Sequence, residues 1–245
     1  MNNCVLSLSN GDRSFRNITF KSMQRYADKI NCDFIYFIDY KPSDNIFDFL
    51  NKNKNLMGRN NNFSYFYKFL LIFQQLQKYD RVLFLDDTCY VKDNCPNLFY
   101  NVPKEHIGIV NEGLILDKNL DKKYKFVLSE QIRNLKILTK NINEKYSIKN
   151  SDICNTGVIL VDKVNEKFFS FEYMKEFFLK GFFNKAFVDQ DYFNYLVLSK
   201  KIEPFYISEK FNKVFEDVQN DCYIRHLTGM YNNQEKMDIL KSLTN

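Results

Sequence analysis

Tryptophan is absent from this 245-residue chain, alanine stands only at Ala27 and Ala186, and Gly, Pro and His number 7, 4 and 2. So little Gly and Pro excludes collagen-like and low-complexity linker sequence. No window reaches the roughly 18 apolar residues that a membrane span needs. The opening Met-Asn-Asn-Cys-Val-Leu-Ser-Leu has no basic region followed by a long apolar stretch, so no signal peptide is expected. None of the six cysteines forms a C-x-x-C pair, which removes the usual zinc and dithiol redox motifs. Cys4, Cys32, Cys89, Cys154 and Cys222 lie in or beside apolar runs, as reduced core thiols do. The expectation is a soluble protein of a reducing compartment, cytoplasmic (host cytoplasm or virion, if viral) and not secreted. Charge of one sign is also scarce: 35 Lys+Arg against 30 Asp+Glu leave +5. The Lys runs at Lys52–Lys54 and Lys122–Lys125 are short and broken. A nucleic-acid binder would gather such charges into a stripe, so no nucleic-acid partner is expected.

What is present in excess is aromatic: 25 Phe and 16 Tyr. Together with abundant Asn, Lys and Ile and scarce Ala, Gly and Pro, this is the mark of A/T-rich codons. The source would be an A/T-rich genome such as that of a giant DNA virus, a parasite or a low-GC bacterium. The aromatics then read as core filling rather than as a stacking platform for sugars or bases.

Short apolar runs alternate with longer amphipathic ones, the pattern of an α/β domain. Strands are predicted at Cys4–Ser9, Asp33–Ile38, Arg81–Leu85, Ile107–Val110, Ile153–Val161 and Tyr223–Leu227. Helices are predicted at Phe15–Asn31, Phe63–Lys78, Asp93–Tyr100, Phe126–Leu138, Glu166–Leu179, Asp189–Ser199 and Gln234–Leu243. Residues 41–60 read as an irregular insertion, and 117–150 as an insertion bordering the site, on the acceptor side. With no repeat and no linker, residues 1–245 are expected to form a single domain, its oligomeric state open and a homodimer included.

Four local features could carry chemistry. The first is Leu85-Asp86-Asp87-Thr88, where two carboxylates directly follow a buried strand. Their desolvation is costly unless a cation or several donors compensate it. Ligands of open α/β sheets bind beyond the carboxyl ends of strands, and carboxylates there suit Mg²⁺ or Mn²⁺. A turn whose Asp side chains bond nearby backbone amides would look the same. The second feature is His226 in Arg-His-Leu-Thr-Gly, although a lone His is commonly structural. The third is Asp189-Gln190-Asp191 with Asn194 one turn later, which also suits a helix N-cap. The fourth is Asn155-Thr156-Gly157 inside an apolar strand, a place for close backbone approach to a ligand or for a bulge.

Taken in order, the chain shows a helix with Lys68, a buried strand ending in acids, and an Asn-Thr-Gly strand. An Asp-Gln helix start, a Phe211-Asn212 segment and a late His-x-x-Gly follow. This order, over roughly residues 4–230 and most closely from Phe66-Tyr67-Lys68 to Pro96-Asn97-Leu98-Phe99, resembles the GT-A glycosyltransferases, especially the family-8, glycogenin-like group. The resemblance implies a GT-A, Rossmann-like α/β domain with a mixed, mostly parallel central sheet flanked by helices. It implies transfer of a hexosyl-type sugar from a nucleotide donor, commonly UDP-linked, to a hydroxyl of a glycan or protein acceptor, with Mn²⁺ or Mg²⁺. Asp86, Asp87, Thr88 and His226 would provide the metal site. Ser9 and Asn10 would lie by the nucleobase, with Lys68, Asp86, Gly157 and Gly229 also meeting the nucleotide sugar. Asn155, Asp189 and Gln190 would hold the donor sugar at the reacting carbon. Family-8 enzymes retain anomeric configuration, while relatives of similar layout invert it.

Two departures stand out. Thr88 occupies the place of the last Asp of the family's Asp-x-Asp motif, and Met230 and Tyr231 follow Gly229 where a Lys is usual. Lys68 or Arg225 would then have to meet the leaving diphosphate. A non-catalytic nucleotide-sugar binding protein and a nucleotidyltransferase are the alternatives. The second would normally show a Gly-rich phosphate loop, and Ser9-Asn10-Gly11-Asp12-Arg13 has one Gly.

Overall fold

Six strands pair in the order β2-β1-β3-β6-β5-β7 to form the central sheet of this computed structural model. The structure describes residues 2–53, 63–118, 122–141, 146–179, 188–214, 221–228 and 231–244. The strands are β1 (Asn3–Ser9), β2 (Asp33–Ile38), β3 (Arg81–Asp86), β5 (Ile107–Asn111), β6 (Cys154–Asp162) and β7 (Pro204–Tyr206). β1 runs parallel to both β2 and β3, and β5 parallel to β7; β6 alone is antiparallel to its neighbours β3 and β5. This is the mixed, mostly parallel α/β sheet expected. A second ladder of two strands joins β4 (Cys89–Val91) to β8 (Ile224–His226).

The central strands are apolar on both faces because both faces are covered. Leu6, Val82, Phe84, Ile109, Ile159 and Val161 point into one core. That core is closed by α3 (Ser64–Leu76), α6 (Lys122–Asn141), α7 (Phe171–Leu179) and α8 (Val188–Leu198). Val5, Leu83, Leu85, Val158 and Leu160 point to the other, against α1 (Arg16–Lys29), β4 and α4 (Leu98–Asn101). Successive strand residues alternate between the two, as the period of two requires. The aromatics fill the first core: Phe66, Phe69, Phe84, Phe169, Phe178 and Phe193 are fully buried. Phe66 meets Phe178 at 4.7 Å and Phe177 meets Tyr192 at 5.0 Å between ring centroids. All six cysteines are free, and only Cys32 is not buried. Among the described residues no helix is long and apolar enough to cross a membrane.

Several expectations need correction. Part of the segment expected to be irregular, 41–60, forms α2 (Asp44–Lys52); 54–60 lie outside the described residues. Ile46, Phe49 and Leu50 give α2 an inward stripe that its Asn and Asp content obscured. The helix expected from Asp93 begins only at Leu98. Pro96 disfavours helical backbone at Cys95, and Asn97 caps the helix by accepting from the Phe99 amide at 3.0 Å. The helix expected over Glu166–Leu179 is a 3₁₀ turn, Lys163–Phe169, followed after Ser170 by α7. The late strand belongs to the small ladder, not the main sheet. β4 and β7, three residues each, are too short to show a period and were not expected. The remaining helices are α5 (Glu112–Lys118) and α9 (Asn233–Thr244).

One buried cation ties the start of β3 to the chain beyond α4. Arg81, 2% exposed, donates from Nη1 to the Phe99 carbonyl at 2.7 Å and from Nη2 to the carbonyls of Val102 and Pro103, both at 3.1 Å. Its Nε lies 3.4 Å from Asp162 Oδ2 on β6. Arg81→Met would leave the Phe99 and Val102 carbonyls without this donor and Asp162 without its cation. The expected loss is about 3 kcal/mol or more in urea unfolding. A loss within experimental error would show that water replaces the guanidinium.

Candidate functional site

The carboxyl ends of β1 and β3 open on one corner of the molecule, and the polar residues converge there. β3 ends at Asp86, and the ladder that follows pairs Cys89 with His226. That pairing brings a residue 140 positions away beside the end of β3. His226 Nε2 lies 3.4 Å from Asp86 Oδ2. The other Asp86 oxygen accepts from Lys68 Nζ at 2.9 Å. The same ammonium reaches Asp189 Oδ2, also at 2.9 Å, at the start of α8. Thr156 donates to that Asp189 oxygen at 2.6 Å. Burial pulls Lys68 down, but its two carboxylates outweigh this and hold it charged. Burial likewise opposes the charge on Asp86, yet Lys68 and His226 keep its carboxyl below the usual range.

Gly157 gives this arrangement its room. β6 carries a register shift against β5, where Ile109 faces Ile159 but Val110 faces Asn155. Thr156, Gly157 and Val158 are therefore looped past β5 beside the end of β3. A Cβ on Gly157 would lie 2.1 Å from His226 Cε1 and 2.5 Å from Nδ1. What the glycine admits is thus the imidazole ring itself.

Behind the ring runs a buried polar network. His226 Nδ1 meets Asn212 Oδ1 at 2.9 Å, and Asn212 Nδ2 donates to Asn155 Oδ1 at 2.8 Å. Asn155 Oδ1 also accepts from the Gly157 amide at 2.9 Å, while its Nδ2 donates to Glu112 Oε1 at 3.1 Å. Gln131 on α6 donates to Glu112 Oε2 at 3.0 Å and to Gln190 Oε1 at 2.8 Å. Burial pushes the Glu112 carboxyl up against the donors Gln131 and Asn155. The three sugar-holding residues expected are all buried and bonded to neighbours: Asn155 is 3% exposed, Asp189 7% and Gln190 9%. Asn194 accepts from the Cys154 amide at 2.9 Å, which pins α8 to β6.

Asp87 faces the other way. It accepts from Ser9 Oγ at 2.6 Å, and Arg13 Nε lies 3.8 Å from the same oxygen. Burial pushes its carboxyl up against these two partners. The four residues expected at a metal therefore separate: Asp86 and His226 meet, and Asp87 turns toward β1. Thr88 is buried, with its carbonyl accepting from the Leu227 amide at 3.0 Å. Asn10 Oδ1 is buried with no hydrogen-bond partner among the described residues. Gly229 lies outside the described residues.

Glu112, Gln131, Arg13 and Lys236 were not anticipated. Glu112 carried the same signal as Asp86, an acid directly after a buried strand. Lys236 lay hidden in a polar helix. It is 4% exposed on α9, with Nζ 5.3 Å from the centroid of the Phe15 ring. Arg13 approaches the same ring at 5.9 Å. Burial, then the Arg13 charge, lowers the Lys236 ammonium pKa, while Asp87 and Asp86 oppose the shift. Two cations thus converge beside one partly compensated carboxylate, a geometry suited to an anion.

Gly157→Ala is expected to push the His226 ring off the strand and to cost about 1–3 kcal/mol in urea unfolding. In the variant the His226 ring resonances should move while those of His106, far from the site, stay in place. Unchanged His226 resonances would mean that the ring does not lie on Gly157.

No family model matches the sequence, and no curated protein matches it. Solved structures do. A glycosyltransferase involved in the glycosylation of the major capsid of PBCV-1 is 15% identical and superposes with a TM-score of 0.54, covering 98% of this chain and 99% of that one. The apo form of mouse xyloside xylosyltransferase 1 is 11% identical with a TM-score of 0.56, covering 95% and 99%. The chain therefore has the fold of GT-A glycosyltransferases along nearly its whole length.

Proposed function

We propose that the protein is a glycosyltransferase that moves a sugar from a nucleotide donor, UDP-linked in our reading, to a hydroxyl of a glycan or protein. The observation that carries this reading is the Lys68 ammonium shared by Asp86 and Asp189 at the strand ends of a GT-A fold. It joins the carboxylate that would meet the nucleotide to the one that would border the donor sugar. In the reaction the bond from the sugar's anomeric carbon to the diphosphate breaks, and the phosphate oxygen keeps the electron pair. The acceptor oxygen bonds to that carbon and gives up its proton, which the released diphosphate can take.

Each role falls to a group at the site. Asn10 Oδ1, shielded and without a donor among the described residues, would accept the ring N–H of uracil. Asp86 is held ionised and would accept from ribose hydroxyls. Lys236 and Arg13 would meet the charge that grows on the leaving diphosphate, in place of the Lys usual after Gly229. Preorganised donors aimed at developing charge are worth several kcal/mol to a transition state. Asp189 and Gln190 would border the donor sugar.

The residues also fit a divalent cation, although thinly. Asp86 Oδ2 and His226 Nε2, 3.4 Å apart, are a pair that one ion could share, whereas among the described residues no three carboxylate, imidazole or thiolate groups converge. Mg²⁺ and similar ions take one or two protein ligands and complete their shell with phosphate oxygens and water. Mn²⁺ or Mg²⁺ held there would offset charge on the diphosphate.

A UDP-release assay with UDP-glucose, UDP-galactose and UDP-N-acetylglucosamine, with and without Mn²⁺, tests the reading. Release from one donor, increased by Mn²⁺, is expected. No turnover together with no UDP binding sinks it. Thr88 in the place of a metal-binding Asp favours a second reading, a binding protein without turnover. UDP binding without release from any donor would support that one. Lys236→Met is expected to weaken UDP about tenfold by calorimetry and to leave uridine unchanged, the loss of one charge-assisted contact. Equal affinity for UDP would take Lys236 out of the diphosphate site.

A further inference from the structure

We infer that Asn212 is a positioning residue: oriented by Asn155, it holds a proton on Nδ1 of the His226 ring and so turns Nε2 toward Asp86. The inference follows from the direction of each hydrogen bond, beginning at a group that cannot be reversed. The backbone amide of Gly157 can only donate, so the atom of Asn155 that it meets at 2.9 Å is an oxygen. The Asn155 nitrogen then faces Glu112 at 3.1 Å, where a carboxylate takes it as donor. The same Asn155 oxygen is met at 2.8 Å by Asn212, and two oxygens would repel there, so Asn212 presents its nitrogen. Asn212 must therefore turn its oxygen to His226 Nδ1 at 2.9 Å. An oxygen acceptor fixes a proton on Nδ1.

A ring so held turns Nε2 toward the Asp86 oxygen, 3.4 Å away. What lies between that nitrogen and the carboxylate has to be positive, a proton or a bound cation. Outer partners of this kind set the tautomer and aim of metal-binding histidines. The enclosure is tight: Glu112 is 4% exposed, Asn155 3%, Asn212 0% and His226 4%. Water is thus poorly placed to substitute for any link. Gly157 contributes twice, through its amide to Asn155 and through its missing side chain to the ring. The naming of Asp86 and His226 as a cation pair rests on the function proposed above; the Nδ1 proton does not.

The chain has two histidines, so the test is spectroscopic and needs no substrate. Protein labelled with ¹⁵N-histidine is recorded in long-range ¹H–¹⁵N spectra at pH 8.5, with His106→Gln to assign the second ring. Nε2 is the nitrogen coupled strongly to both ring C–H protons. In the wild type the other nitrogen, Nδ1, should carry a proton. Asn212→Leu and Asn212→Ala should move the proton to Nε2, the form that free imidazole prefers in water, or give a mixture. Asn212→Asp keeps an acceptor and should keep the proton on Nδ1. A wild-type ring protonated at Nε2 alone overturns the inference. An Nδ1–H ring that persists in folded Asn212→Leu or Asn212→Ala overturns the role of Asn212. If the substituted chains fail to fold, wild type against Asn212→Asp still decides whether Nδ1 carries the proton. Should Nδ1 carry it while no nucleotide binds, the proposed function fails and this inference stands.

Discussion

The site depends on one ammonium held away from water between two carboxylates. Lys68 comes from α3, Asp86 from the end of β3 and Asp189 from the start of α8, so the contact joins three elements from distant parts of the chain. Each of the three charges would be costly to bury alone. Together they fix the angle at which α3 and α8 meet the open end of the sheet. The remaining charges arrange themselves around this triad. Asp86 has one oxygen left for His226, and Asp189 takes a further bond from Thr156. An opposing charge pattern appears on the far side, where Arg13 and Lys236 face Asp87. The corner is thus divided into a compensated half and a half with cationic surplus.

Much of this was legible in the sequence, for reasons that particular residues make plain. Strands such as Arg81–Asp86 and Asp33–Ile38 are bounded by turn residues and filled with apolar ones, and they occur close to where they were expected. Asp86 stood out because an acid after a buried strand has few structural excuses. The same rule would have found Glu112 after Ile107–Asn111, but its neighbours Asn111 and Gly113 look like an ordinary turn. His226 could be singled out only by rarity. Nothing local says that its three-residue strand pairs with Cys89, because pairing depends on tertiary contacts rather than on period. Asp87 parts from Asp86 because it lies in the turn after β3, where it meets Ser9 and Arg13. Lys236 and Arg13 were invisible because burial of a lysine within a polar helix leaves no trace in the pattern of its neighbours.

The buried amides explain why so polar a corner is tolerated. Glu112, Gln131, Asn155, Asn212 and Gln190 hold one another through directed bonds, with only Gln131 Oε1 among these side chains left without a partner among the described residues, and α6 enters the corner through Gln131. A segment that looked like an insertion bordering the site therefore reaches its floor. Networks of this kind are rigid when complete and expensive when one member is lost. Gln190, itself buried, is placed through Gln131 by groups that need never touch a ligand.

The ladder between Cys89–Val91 and Ile224–His226 has a further consequence, for the order of assembly. Most neighbours in the large sheet are linked by short or moderate stretches of chain, and β1, β2 and β3 lie within the first 86 residues. The ladder instead closes a loop of well over a hundred residues with three pairs. Closing long loops costs entropy that only later contacts return. A nascent chain released as far as β6 already holds β1, β2, β3, β5 and β6, but neither α7 and α8, which close one core, nor His226. The last strand of the ladder therefore completes the site only after nearly all of the sheet has been made.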